Sequence, residues 1–133
     1  LVLNMGMPGR QKIEAMKKAG KRANALHIPV VLDPVGVGAS AFRREAVSEL
    51  LKEVRFTVIR GNFSEIRTLM CGVCGTRGVD AEPTDLMGEK NLYQNVKTVT
   101  AFAEKSGAIV VERERTTLYR MEEKHIGFKT DIQ

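Results

Sequence analysis

Apolar and polar positions come in blocks along this chain, and three apolar blocks in its first half end alike. Leu1-Val2-Leu3 runs into Asn4-Met5-Gly6, and Val30-Val31-Leu32 runs into Asp33-Pro34-Val35-Gly36-Val37-Gly38. Phe56-Thr57-Val58-Ile59 runs into Arg60-Gly61-Asn62-Phe63-Ser64-Glu65. Short, wholly apolar runs that break into glycine-bearing turns predict strands of a parallel sheet with helices over both faces. The intervening pattern is helical. Across residues 9–26, Ile13, Met16, Ala19 or Gly20, Ala23 and Leu26 share one face, with lysines opposite. Pro8 suits the first turn of that helix and Pro29 follows its end. A second stripe is Ala46, Val47, Leu50, Leu51 and Val54, with Ser40 placed to cap it.

The second half is less regular. A short helix is predicted over residues 64–70, followed by a glycine-bearing loop over residues 71–88, long enough to be functional or mobile. Leu92, Val96, Val99 and Ala103 mark a helix over residues 91–105, which Gly107 ends. Residues 108–111 read as a buried strand, and residues 116–121 and 125–128 as two short strands around Glu122-Glu123-Lys124. This order predicts an α/β fold, a three-layer doubly wound and mostly parallel sheet, with right-handed crossovers. The strand order is not legible at this level.

Composition narrows the function classes. The chain has 133 residues, room for one domain with a sizeable core. No apolar run nears the ~20 residues that cross a bilayer, so a cytoplasmic protein is the default expectation. The net charge is +5, with Lys12, Lys17, Lys18, Lys21 and Arg22 on one predicted helix. They lie among acids and alanines without aromatic partners, the pattern of a solvated face rather than of a nucleic-acid footprint. Cys71 and Cys74 are the two cysteines. With only His27 and His125 to add, they read as reduced thiols in a loop, not as a zinc site.

The candidate chemistry sits after the strands, where parallel sheets bind ligands. Asn62 with Glu65 three residues on is a near relative of the capping box. The same amide and carboxylate at a helix N-terminus are also placed to hold Mg²⁺ beside a phosphate. Capping leaves Arg60 and Gly61 unexplained; the first is a planar fork for phosphate oxygens or half of a surface ion pair, the second permits close backbone approach. Asp33 ends a buried strand, which is costly unless the acid is paired or metal-linked. Asp33 and Glu65 at one rim would repel unless a cation or Arg60 lies between them. The Asp33–Gly38 stretch is also an ordinary tight turn in form, and Asn4 to Gly6 another. Asp80 reads as a loop acid, His27 as a helix end, and neither His27 nor His125 has a catalytic partner.

Together these segments resemble the hydroxyethylthiazole kinase family, of the ribokinase-like fold. The matching words are Leu-Asn-Met-Gly (3–6), Ile-Glu-Ala-Met (13–16), Ile-Pro-Val-Val-Leu-Asp-Pro-Val-Gly-Val-Gly-Ala (28–39), Val-Ile-Arg-Gly-Asn-Phe-Ser-Glu-Ile (58–66) and Gly-Val-Asp (78–80). The resemblance covers residues 1–111 of a single domain and leaves 112–133 divergent. It implies ATP-dependent phosphorylation of 4-methyl-5-(2-hydroxyethyl)thiazole in thiamine salvage, with Mg²⁺, in a homotrimer. It implies that Arg60 and Asn62 bind ATP and that Asp33 and Glu65 lie around the metal. Asn4, Gly6, Pro34, Val35 and Gly36 fall where the thiazole pocket is expected. Glu112-Arg113 replace a Thr-Gly turn, and the family's Gly-Thr-Gly-Cys stretch with its catalytic residue has no counterpart. The expectation is therefore an incomplete kinase with no catalytic residue in this chain. Its alternatives are another ribokinase-like kinase, an ATP-linked hydrate dehydratase, or a non-catalytic remnant that binds nucleotide weakly.

Overall fold

The computed structural model describes residues 1–73, 89–112 and 117–119. Within them one sheet runs in chain order: β1 (Val2–Asn4), β2 (Val31–Asp33), β3 (Val58–Gly61), β4 (Ile109–Glu112) and β5 (Thr117–Tyr119). The first four strands are parallel and β5 returns antiparallel to β4. The helices are α1 (Arg10–Ala25), α2 (Ala41–Glu53), α3 (Phe63–Val73) and α4 (Glu89–Ser106), with a one-turn 3-10 helix at Val37–Ala39.

Strands that step in one direction through right-handed crossovers place their connecting helices on one face. Burial agrees. The register aligns Leu3, Leu32, Ile59 and Val110 in one row, and all four are buried. The neighbouring row is Val2, Val31, Val58 and Ile109; the last three are half-buried and Val2 is 66% exposed. The α/β class and the mostly parallel sheet stand as expected. The described residues build the sheet and one helical layer of the three-layer arrangement.

Local rules account for most helix ends. Ser40 Oγ accepts from the Arg43 amide at 3.2 Å, the cap expected for α2. In α1, Ile13, Met16, Gly20 and Ala23 are buried, so Gly20 rather than Ala19 joins the inward face and Leu26 lies exposed. A Cβ on Gly20 would come within 2.7 Å of the Val54 methyls, so glycine here lets α1 approach the end of α2. At the end of α1 the Ile28 amide donates to Ala23 and the His27 amide to Asn24, while His27 takes φ 56°. That is a Schellman closure with histidine in the left-handed position usually held by glycine. In α4, Val99, Phe102 and Ala103 are buried with Val96 packed against them; Phe102 is a core residue the periodicity did not single out.

The helix predicted over 64–70 extends from Phe63 to Val73. Cys71 therefore lies in its last turn, exposed and unpaired with another cysteine, rather than in a loop. The expectations for Cys74, Asp80, His125, the rest of the 71–88 loop and the strand at 125–128 fall outside the described residues.

Candidate functional site

The carboxyl ends of β1, β2 and β3 bring the expected residues to one rim. An Arg60 guanidinium nitrogen, on a side chain 49% exposed, lies 3.7 Å from Asp33 Oδ2. Asp33 is 8% exposed, and its other oxygen, Oδ1, is buried without a hydrogen-bond partner among the described residues. A carboxylate so placed is costly in isolation. Arg60 offsets part of that cost from the solvent side.

Glu65, 7% exposed, is held differently. Its Oε2 accepts from the Asn62 amide at 2.9 Å, and Asn62 Oδ1 accepts from the Glu65 amide at 2.8 Å. The two residues form the reciprocal capping box that their spacing suggested. Glu65 Oε1 also accepts from the Gly36 amide at 3.0 Å, which ties the start of α3 to the loop after β2. Gly61 is explained by the same carboxylate: a Cβ there would lie 3.0 Å from Glu65 Oε2. Capping thus accounts for Gly61, where the sequence had suggested close approach by a ligand.

The loop after β1 closes on itself. Asn4 Oδ1 accepts from the Gly6 amide at 2.7 Å, while the Met5 amide donates to Asp33 O at 3.0 Å. Met5 is fully buried, Pro34 is buried, and Val35 and Gly36 are half-buried at the same rim. Gly36 takes φ 66°, a conformation that favours glycine. Glu112, the last residue of β4, is in register with Gly61 and so brings a third carboxylate to this edge.

Arg43 is the rim residue the sequence reading missed. Its guanidinium donates to Met5 O at 2.8 Å, Val35 O at 2.7 Å and Gly6 O at 3.2 Å. One signal was available. Arg43 sits in the first turn of α2, which holds no acid, and a cation there opposes the helix dipole. A residue placed against its local preference has a tertiary reason for being there.

Among the described residues no group of three or more His, Cys, Asp or Glu side chains forms a ready metal cage. A cavity of about 520 Å³ lies at the other end of the sheet, against Asn24, Leu51, Val54, Phe56 and Phe102. It touches none of Asp33, Arg60 or Glu65. No helix of the described residues is long and apolar enough to cross a membrane.

The profile of the Hydroxyethylthiazole kinase family (HK) matches residues 1–117. The chain belongs to the hydroxyethylthiazole kinase family. It is similar to the "Hydroxyethylthiazole kinase" of Clostridium acetobutylicum, with 48% identity over 110 residues, 83% of this chain and 40% of that protein. The Clostridium tetani protein of the same name is 40% identical over 134 residues, 99% of this chain and 45% of that protein. A solved hydroxyethylthiazole kinase protein from Pyrococcus horikoshii superposes with a TM-score of 0.65 at 29% identity, over 84% of this chain and 37% of the other. The chain thus spans less than half the length of these relatives.

Proposed function

We propose that this chain serves ATP-dependent phosphorylation of the primary hydroxyl of 4-methyl-5-(2-hydroxyethyl)thiazole, a step of thiamine salvage. The observation that carries the reading is the gathering of Asp33, Arg60 and Glu65 at one rim: Arg60 lies 3.7 Å from Asp33, and Glu65 is bonded to Gly36 three residues beyond it. Arg60 is the phosphate fork, exposed enough to leave Asp33 for a triphosphate oxygen. Asn62 joins it on the ATP side by fixing the start of α3. Asn4, Gly6, Pro34, Val35 and Gly36 face the thiazole.

The donor set fits Mg²⁺, which is commonly held by one or two carboxylates together with substrate phosphates. Asp33 offers the buried oxygen that lacks a protein partner. Glu65 has each oxygen engaged by an amide, and its role is to complete the acidic surround while holding that loop in place. When bound, the ion would neutralise charge on the transferring phosphoryl group. The chain's own part is positioning: Arg60 orients phosphate oxygens, and the loops after β1 and β2 hold the alcohol in line. The family also supports a cytoplasmic homotrimer for the complete kinase, which sedimentation of a complete protein would check.

The test is calorimetric titration with Mg·ATP and separately with the thiazole alcohol, followed by a thiazole-dependent assay for ADP. The expected result is binding of both at about millimolar concentration or below. No heat from either ligand refutes the reading. A second reading, a non-catalytic remnant that binds nucleotide only weakly, is favoured by one feature: Glu112 stands in register beside Gly61, where its carboxylate would oppose approaching phosphates. Binding of Mg·ATP without ADP formation selects it.

A further inference from the structure

Each peptide unit among the described residues is trans, so its C=O and N–H point in opposite directions. In the Val35–Gly36 peptide, the oxygen accepts from Arg43 and the N–H donates to Glu65 Oε1. In the Met5–Gly6 peptide, the oxygen accepts from Arg43 and the N–H donates to Asn4 Oδ1. Two loop peptides are thus gripped at both ends, and one guanidinium supplies the carbonyl grip for both. It also takes the Gly6 carbonyl. Among the described residues no carboxylate pairs with Arg43. Its charge is spent on backbone oxygens from two different loops.

We infer that Arg43 is a positioning residue: it locks the loops after β1 and β2 to each other and so sets the shape of the alcohol pocket, leaving the phosphate side at Asp33 and Arg60 alone. The pocket half of this inference rests on the kinase reading above; the lock itself does not. Three features favour a guanidinium. Nη1 donates to both loops, at Met5 O and Val35 O, while Nη2 adds Gly6 O, and the rigid planar fork fixes all three bonds together where an ammonium on a flexible stem would not. The bonds are charge-assisted and half-buried, so losing them leaves carbonyls without partners. Gly36 completes the fit, because a Cβ on it would lie 3.3 Å from the same Arg43 nitrogen. Through the Val35–Gly36 peptide, Arg43 and Glu65 act on one unit without touching.

The experiment uses the whole 133-residue chain and its Arg43→Lys and Arg43→Ala variants, with exposed Lys18→Ala as control. Amide hydrogen exchange is read residue by residue, and the thiazole alcohol and Mg·ATP are titrated separately. Arg43→Lys is expected to speed exchange at Gly6 and Gly36 by about tenfold or more while Leu32 and Ile59 stay protected. Affinity for the alcohol should fall about tenfold and affinity for Mg·ATP change less than about twofold, with methylguanidinium partly restoring Arg43→Ala. Unchanged exchange at Gly6 and Gly36 overturns the lock, as does an acceleration spread equally over the core. Parallel losses for both ligands overturn the pocket role and leave a structural one. If Arg43→Ala does not fold, Arg43→Lys still decides the exchange result. If the unsubstituted chain binds neither ligand, the kinase reading and the pocket role fail together, and the exchange rates alone judge the lock.

Discussion

The two ends of the sheet are built by different means. At the amino ends of the strands, helices stop through their own backbone: α1 in the closure around His27 and Ile28, and α4 where the Gly107 amide donates to Ala103 at 2.9 Å. The side chains that help are neutral: Asn24 both donates to Arg55 O and accepts from its amide, each at 2.8 Å, Thr57 Oγ1 accepts from the Val30 amide at 3.2 Å, and Ser106 Oγ accepts from the Ala108 amide at 3.3 Å. At the carboxyl ends, side chains do most of the fastening. Asn4, Arg43, Asn62 and Glu65 hold loop amides and carbonyls, and two of the four are charged. Backbone closures need only local geometry. Charged fastenings in half-buried loops cost desolvation, and they lie at the end proposed above to meet a polar ligand.

Removing a charged fastening should do the most damage. Glu65→Gln keeps the shape but turns an NH₂ toward a backbone N–H, and is expected to lower stability by about 2 kcal/mol, read from urea unfolding. If Glu65 only caps α3, affinity for Mg·ATP should be unchanged once unfolded chain is discounted; a further loss supports its place beside the metal. Arg60→Ala should change stability by less than about 1 kcal/mol, because its ion pair with Asp33 is open to solvent. Its effect belongs to the nucleotide, with about tenfold weaker binding of Mg·ATP by titration. An unaltered affinity would reduce Arg60 to a partner of Asp33.

At the amino end the same tests should move stability and leave ligands alone. Asn24→Ala removes two backbone bonds and is expected to cost about 1 kcal/mol, with both ligand affinities intact. A change in either affinity would break the separation between the ends. His27→Gly relieves the left-handed φ of 56° and should stabilise by about 0.5 kcal/mol, a rise of a few degrees in Tm.

The smallest effect concerns pH. Lys21, with Lys17 assisting, holds the Glu53 carboxyl below its ordinary range, and Glu14, then Glu49 and Glu53, hold the Lys17 ammonium above its own. A depressed carboxyl contributes stability above its unfolded pKa and loses it as pH falls through the folded one. The raised ammonium contributes below its unfolded pKa and loses that only at strongly alkaline pH. Glu53→Gln should therefore flatten the fall in urea midpoint that begins at about pH 5 and continues as pH drops through the lowered folded pKa, with little change at neutral or alkaline pH. Lys21 and Glu53 are open to solvent, so added salt should shrink the difference.

Much of this molecule was legible beforehand because periodicity and turn chemistry are local. The buried strands, the cap at Ser40, the stop at Gly107 and the reciprocal Asn62–Glu65 pairing all follow from residues within a few positions of one another. Helix α3 runs beyond its expected end, through Gly72, a residue that lowers helix propensity but does not by itself stop a helix. Phe102 was passed over because neighbouring apolar positions already satisfied the helical stripe.

By itself, the order of residues determined which segments become strands and helices and which polar groups end each strand, since those preferences are set within one or two turns of chain. Only the tertiary structure decided the strand order, the exposed second face of the sheet around Val2, and the use of Arg43. The last depends on two loops meeting beside the first turn of α2, 37 and 38 residues downstream of Gly6 and Met5. A hydrogen bond over such a separation leaves no periodic trace, because its partners are backbone atoms that every residue carries.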